Sequence, residues 1–309
     1  MAPAALGFRI GGEQFVSKLL ERLAAGEILV SDGATGTYLQ ANGLEPGGCP
    51  EEFNDSHPDV VRQMAANYFA AGSNMVETNS FGGSRYMLAK YGHGDRVEEL
   101  NRKGAELARQ AAPEGCFVLG SIGPTGEFLV PNGTATEGEM YDVFCEQSRG
   151  LAAGKVDAFC VETMSDLGET VLAVRAAKET TGLPVVATMT YDRGPRGLFT
   201  MFGVTPAGAA EKLSEAGADI VGSNCGIKIE DMIDIISEMR KATDRPILTH
   251  VNAGIPRIED GEILYPDSPE HMASFMSRMI EAGANIVGGC CGTSPDHVRA
   301  FVKAVGSST

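Results

Sequence analysis

Three cysteines in this chain have the types, neighbours and spacing for metal chemistry. Cys225 lies in Gly222-Ser223-Asn224-Cys225-Gly226, and Cys290 and Cys291 are adjacent in Gly288-Gly289-Cys290-Cys291-Gly292-Thr293. Neighbouring cysteines close a disulfide on each other only in a strained ring. Zn²⁺, by contrast, accepts thiolates at ~2.3 Å in a tetrahedral arrangement, and three protein ligands leave its fourth position open. A thiol entering that position is deprotonated near neutral pH without a separate strong base. Three thiolates also make the site electron-rich, which suits alkyl transfer to sulfur better than activation of water. Flanking glycines allow close backbone approach and positive φ. Taken singly, each cysteine reads first as buried structure, and it is the glycine-framed pair at one strand end with a third on another even strand that turns the reading to metal. A closed four-ligand zinc site is disfavoured, because the chain has no C-x₂-C pair and no H-x₃₋₅-H pair.

The elements that must bring these residues together are legible as alternating short apolar runs and longer helical patterns. Eight strands are expected at Glu27–Asp32, Ser73–Thr78, Phe117–Ser121, Asp157–Glu162, Pro184–Thr190, Asp219–Ser223, Pro246–Val251 and Asn285–Gly289. Helices are expected at Pro58–Ala71, Arg96–Ala112, Glu137–Gly154, Leu167–Thr181, Pro206–Ala216, Ile229–Thr243, Pro269–Ala282 and Pro295–Val305. Ser294-Pro295-Asp296 supplies a cap and an N1 proline, while Gly72, Gly217 and Gly283 follow helix ends. The strands are apolar rather than alternating, as in a parallel sheet covered on both faces. Eight βα units favour a closed (β/α)8 TIM barrel over an open doubly wound sheet. A further N-terminal helix is expected near Glu13–Leu23. No linker or composition shift divides the chain, so residues 1–309 read as one domain. In this frame Cys225 follows the sixth strand and Cys290-Cys291 the eighth. Both sit at the C-terminal rim where barrel active sites are built, on strands of the same parity.

The bulk properties narrow the function. With 309 residues, 43% hydrophobic and 21% charged, the chain has material for a full core. A formal charge of −16 argues against a nucleic-acid partner. The sequence contains neither an apolar run of membrane-spanning length nor an export signal, so the expected location is cytoplasmic, with no membrane association. Seven cysteines without an export signal point to reduced thiols. Cys116, Cys145 and Cys160 read as small buried hydrophobes, and Cys49, beside Pro50, has no assigned role.

At the three rim cysteines the chain resembles the homocysteine-binding methyltransferases. This family includes the N-terminal module of cobalamin-dependent methionine synthase and the betaine– and S-methylmethionine–homocysteine enzymes. The likeness covers nearly the whole chain and includes Asp32-Gly33-Ala34-Thr35-Gly36-Thr37, Val76-Glu77-Thr78-Asn79-Ser80-Phe81, Gly120–Gly126, Val161-Glu162-Thr163 and Asn252-Ala253-Gly254-Ile255-Pro256. It implies a zinc-bearing barrel in which Cys225, Cys290 and Cys291 are ligands. Glu162, with Asp32 nearby, would meet the substrate ammonium, and Gly33, Thr78, Phe81 and Asn252 would line the pocket. For Asp32 a loop cap is the other reading, and for Phe81 simple packing. Asn224 either orients the Cys225 loop or stabilises a turn, and Thr293 is expected to cap the last helix. His250-Val251-Asn252 departs from the resemblance, which has a proline before the asparagine. The betaine enzyme's C-terminal extension and an Asp-x-His-x-x-Gly corrinoid signature are both missing.

The expected function is therefore methylation of homocysteine, as its thiolate, to methionine, with zinc as cofactor. The donor is expected to be a methylcorrinoid on a separate protein. A sulfonium or betaine donor, another small thiol as acceptor, and a non-catalytic thiol-binding barrel are the alternatives.

Overall fold

The computed structural model describes residues 8–10, 13–15, 17–259 and 262–307. Eight parallel strands form a nearly closed barrel: β1 Leu29–Val30, β2 Met75–Glu77, β3 Phe117–Ile122, β4 Ala158–Met164, β5 Val185–Met189, β6 Ile220–Asn224, β7 Ile247–Val251 and β8 Ile286–Gly289. Their order around the sheet is β1-β8-β7-β6-β5-β4-β3-β2. The last strand thus pairs with the first, through Ile286 with Leu29 and Val287 with Val30. Every strand expected from the sequence is present within a few residues of its expected bounds.

Asn74 closes the seam between β1 and β2 where the strands begin. Asn74 donates its backbone N–H to the Val30 carbonyl (2.7 Å), and its side-chain Oδ1 accepts the Val30 N–H (2.8 Å). The same device recurs before each even strand: Asp157 accepts from the Val118 amide, Asp219 from Val185 and Asn285 from Ile247. Each side chain satisfies an amide at the start of the preceding strand, where the parallel ladder has run out.

The expected helices cover the outside, the seventh as two pieces, Pro269–Ala273 and Met276–Ala282. Gly72, Gly217 and Gly283 all take positive φ after their helices. Ser294 caps the final helix Pro295–Gly306 with His297 as the reciprocal partner. Inside the barrel, Leu29, Met75, Leu119, Val186, Ile220 and Ile286 join one apolar cluster with Leu19, Leu20 and Leu23. Those leucines belong to a short N-terminal helix that seals the end of the barrel where the strands begin, so the opposite end is the one left open.

That helix corrects an expectation. It spans Lys18–Ala24, whereas Glu13–Phe15, expected to be helical, pairs antiparallel with Phe8–Ile10. The sequence pattern also missed a short helix at Thr35–Gln40 and the hairpins Asp192–Gly194/Gly197–Phe199 and Arg257–Glu259/Glu262–Leu264. All three sit in loops on the open rim. Among the described residues no helix is long and apolar enough to cross a membrane.

Candidate metal centre

The topology carries Cys225, Cys290 and Cys291 to one point on the open rim. Their sulfurs all lie within 4.8 Å of one another, with Cys225 Sγ 3.9 Å from Cys291 Sγ. All seven cysteines are unbridged. The backbone fixes the three positions. Cys225 N–H donates to the His250 carbonyl (3.0 Å), Cys290 N–H to that of Val251 (2.8 Å), and Cys291 N–H to Asn252 Oδ1 (3.1 Å). The end of β7 thus aligns both cysteine segments. The segment His250-Val251-Asn252, which lacks the proline that the resemblance has before the asparagine, keeps this arrangement. Cys225 itself has φ of 62°, a left-handed conformation that non-glycine residues rarely adopt without a reason. Hydrogen bonding within the cluster lowers the Cys225 thiol to about 2 and raises those of Cys290 and Cys291. Three half-buried sulfurs converging at this separation are a donor set for one thiophilic cation.

Beside the thiols opens a cavity of about 380 Å³. Of the residues singled out from the sequence, Gly33, Thr78, Phe81, Glu162, Cys225, Cys290 and Cys291 face it. Asp32 and Asn252 lie behind its wall. Asp32 is 2% exposed, and its carboxylate accepts the Glu77 N–H (2.8 Å) and the Ser31 hydroxyl (3.0 Å). Asn252 supports Cys291. Thr293 does not cap the last helix as expected: its hydroxyl donates to the Cys290 carbonyl (2.7 Å) and accepts from Ala34 N–H (3.1 Å), tying the β1 and β8 loops together. Phe81 is 40% exposed at the mouth and crowds Gly123.

The cavity floor is acidic. Glu162 accepts from the Ser121 hydroxyl (2.5 Å) and from Asn224 Nδ2 (3.4 Å). Burial raises Asp32 and Glu162 to about 7 each, and burial together with Glu162 raises Glu77 well above the carboxylate range. Burial lowers His250 to about 4, keeping its ring neutral. The sequence reading assigned no role to Glu77 or His250. A carboxylate and an imidazole at the C-terminal ends of apolar barrel strands were the available signal.

A (β/α)8 barrel whose open rim brings together three thiols that could hold a metal, over an acidic cavity, defines the class of the protein. The family model for homocysteine S-methyltransferase matches residues 29–305, and the chain belongs to that family, whose members are methyltransferases. It is 35% identical over 313 residues to methionine synthase from Mycobacterium leprae, an alignment covering 94% of this chain and 25% of that protein. It is 29% identical over 318 residues to betaine–homocysteine S-methyltransferase 1 from Rattus norvegicus, covering 95% and 76%. The chain thus spans about a quarter of the methionine synthases it matches. Among solved structures, the metallated homocysteine methyltransferase MmuM from Escherichia coli superposes with a TM-score of 0.76 at 20% identity, covering 92% of this chain and 98% of that one. At that identity the likeness concerns the fold.

Proposed function

We propose that the chain is a zinc-dependent methyltransferase that converts homocysteine to methionine. The observation that carries this reading is the three-thiol cluster opening onto an acidic cavity in a member of this family. Thiolates ~2.3 Å from a tetrahedral zinc stand ~3.8 Å apart, and the 3.9 Å between Cys225 and Cys291 supports that metal. Zinc bound by Cys225, Cys290 and Cys291 would supply an open position at which the acceptor thiol is ionised near neutral pH. Glu162 takes the substrate ammonium, Gly33, Thr78 and Phe81 shape the pocket, and Asp32 and Asn252 act from behind its wall. The acceptor sulfur forms its new bond to the methyl carbon as the methyl–donor bond breaks, and the donor leaves with that electron pair.

For the donor, we infer a methylcorrinoid held by a separate protein. Exposed large apolar side chains, including Phe128, Met201, Phe202 and Ile258, lie in the segments that follow the C-terminal ends of β3, β5 and β7. Such a rim suits a macromolecular donor. Incubating zinc-loaded protein and homocysteine with a methylcorrinoid protein, S-methylmethionine or betaine, and measuring methionine by mass spectrometry, tests this. Methionine from the corrinoid arm alone is expected. Methionine from a sulfonium or betaine arm reassigns the donor, preferential turnover of another small thiol reassigns the acceptor, and homocysteine binding without methionine in any arm leaves a thiol-binding barrel.

A further inference from the structure

The thiol cluster has a partner outside the cavity. Tyr265 follows the rim hairpin Arg257–Glu259/Glu262–Leu264 and is half-buried, yet it is not among the residues that line the cavity. Its segment is tied through the backbone to the cysteine loop. Ala253 N–H donates to the Cys291 carbonyl (2.9 Å), Asp267 N–H donates to the Ala253 carbonyl (3.0 Å), and the Asp267 carbonyl meets His297 Nε2 (3.0 Å). Two glycines make room for it. A Cβ on Gly254, with φ of 83°, would stand 2.8 Å from the Asp267 carboxyl carbon, and one on Gly292, with φ of 78°, would run into the Tyr265 ring. Left-handed glycines in both loops thus admit Tyr265-Pro266-Asp267 against the cluster.

Each of the three sulfurs meets a hydrogen-bond donor. Asn224 Nδ2 stands 3.9 Å from Cys290 Sγ, the Asn252 side chain and the Gly226 N–H reach Cys225, and the Tyr265 hydroxyl reaches Cys291. Asn224 and Asn252 also hold Thr163 and the Cys291 amide, so replacing either one moves backbone as well. The Tyr265 hydroxyl can be removed while its ring stays. Burial, together with the thiols, pushes its phenol up to about 12, so it is a donor at neutral pH. Donors of this kind matter because a dication held by three thiolates already carries net negative charge, and a fourth thiolate adds to it. Among the described residues that line the cavity there are three glutamates and no lysine or arginine. Offsetting that charge therefore falls to neutral donors around the sulfurs.

We propose that Tyr265 is a positioning residue of the metal centre, a hydrogen-bond donor that reaches Cys291 from outside the cavity and offsets the charge that builds when the acceptor thiolate joins the three cysteine sulfurs. It acts through Cys291 and does not touch the substrate. This inference rests on the reading of the cluster as a metal site open to a thiol and deepens it.

The test compares wild type with Tyr265→Phe and Tyr265→Ala, each as the full chain loaded with Co²⁺, whose sulfur-to-metal charge-transfer band reports on the thiolates. A hydrogen bond lowers the energy of the sulfur electrons, so its loss in Tyr265→Phe should move that band to longer wavelength before any thiol is added. Homocysteine affinity, read from the same spectra, should fall roughly 10-fold or more, with the Tm of the metal-free protein unchanged. Tyr265→Ala should in addition release metal faster to a chelator, and Tyr265→Phe should restore that retention while keeping the shifted band. An unshifted band in Tyr265→Phe overturns the hydrogen bond and leaves ring packing as the role of Tyr265. A shifted band with wild-type homocysteine affinity overturns the charge-offsetting role. A wild type that takes up cobalt but no homocysteine overturns the acceptor reading and the charge-offsetting role with it, and the band positions without thiol then decide the hydrogen bond alone.

Discussion

Asn224, at the end of β6, reaches across to β4 and holds Thr163 from both sides: its Oδ1 accepts the Thr163 N–H at 2.8 Å, and its Nδ2 donates to the Thr163 hydroxyl at 2.7 Å. Thr163 and Cys225 are two of the three non-glycine residues with positive φ among the described residues, at 58° and 62°. One side chain therefore braces one left-handed residue while its own backbone leads into the other. Its Oδ1 also accepts from the Thr188 hydroxyl, which ties β5 into the same node. Asn224→Ala leaves the Thr163 amide without its partner and releases the backbone ahead of Cys225. We expect a loss of roughly 2–3 kcal/mol in denaturant unfolding and faster removal of zinc by a chelator. Unchanged chelation kinetics would show that Cys225 is held without this brace.

The contrast between what the sequence reveals and what it hides follows from the same physics. Buried parallel strands read as apolar runs, so all eight were legible, and their ends located the three cysteines. The rim hairpins were not, because Asp192–Gly194 is exposed and has no apolar period to detect. The seam residues left a signal that periodicity does not register. Ala71-Gly72-Ser73-Asn74, Ala216-Gly217-Ala218-Asp219 and Ala282-Gly283-Ala284-Asn285 repeat one pattern, glycine ending the helix and an Asn or Asp capping the neighbouring strand. Glu162 and Glu77 look alike in sequence, each a carboxylate near the end of an apolar run. Only the structure separates them: Glu162 accepts from Ser121 and Asn224, whereas Glu77 leaves its Oε1 without a partner.

Gly292 sits where no other residue fits. Its φ is 78°, and a Cβ there would lie 2.1 Å from the Tyr265 ring. Gly292→Ala combines left-handed strain of about 1–2 kcal/mol with a clash that the ring relieves only by moving away from the Cys291 loop. We expect a lower Tm and weaker zinc retention, with homocysteine affinity falling in parallel. A variant that keeps wild-type Tm would mean Tyr265 swings aside freely.

Asp32 gives a pH signature. Burial raises its carboxyl from the ordinary 3.8 to about 7 in the folded chain. The folded state therefore holds the proton more tightly than the unfolded one, and the associated stability is fully present below about 4. It is lost as pH rises through about 7. Asp32→Asn removes that titration. The stability difference between wild type and variant, read from urea midpoints at several pH values, should shift against wild type between pH 4 and 7 and be flat below pH 4. A difference that stays constant across the window would place the Asp32 carboxyl back at its ordinary value.

The thiol cluster gives the most direct prediction about the metal. Three thiolates and an open position predict about one zinc per chain, and the hydrogen bonds to His250, Val251 and Asn252 predict that the three ligands are not equivalent. Cys290→Ala and Cys225→Ala each leave two thiolates, too few for a closed tetrahedral set with a small ligand, and both should purify without stoichiometric zinc. The backbone around Cys290 is pinned independently of its sulfur, by its own amide to Val251 and by the Thr293 hydroxyl to its carbonyl. Cys290→Ala should therefore keep the barrel folded, with a far-ultraviolet spectrum like that of wild type, while losing metal. Cys225 has φ of 62°, so alanine there retains the left-handed strain after the reason for it has gone, and Cys225→Ala should lose Tm as well as zinc. Metal analysis with thermal melts on the two variants separates these effects. Full zinc occupancy in either variant would refute the ligand set, and equal Tm losses in both would refute the claim that Cys225 alone holds its conformation at a cost.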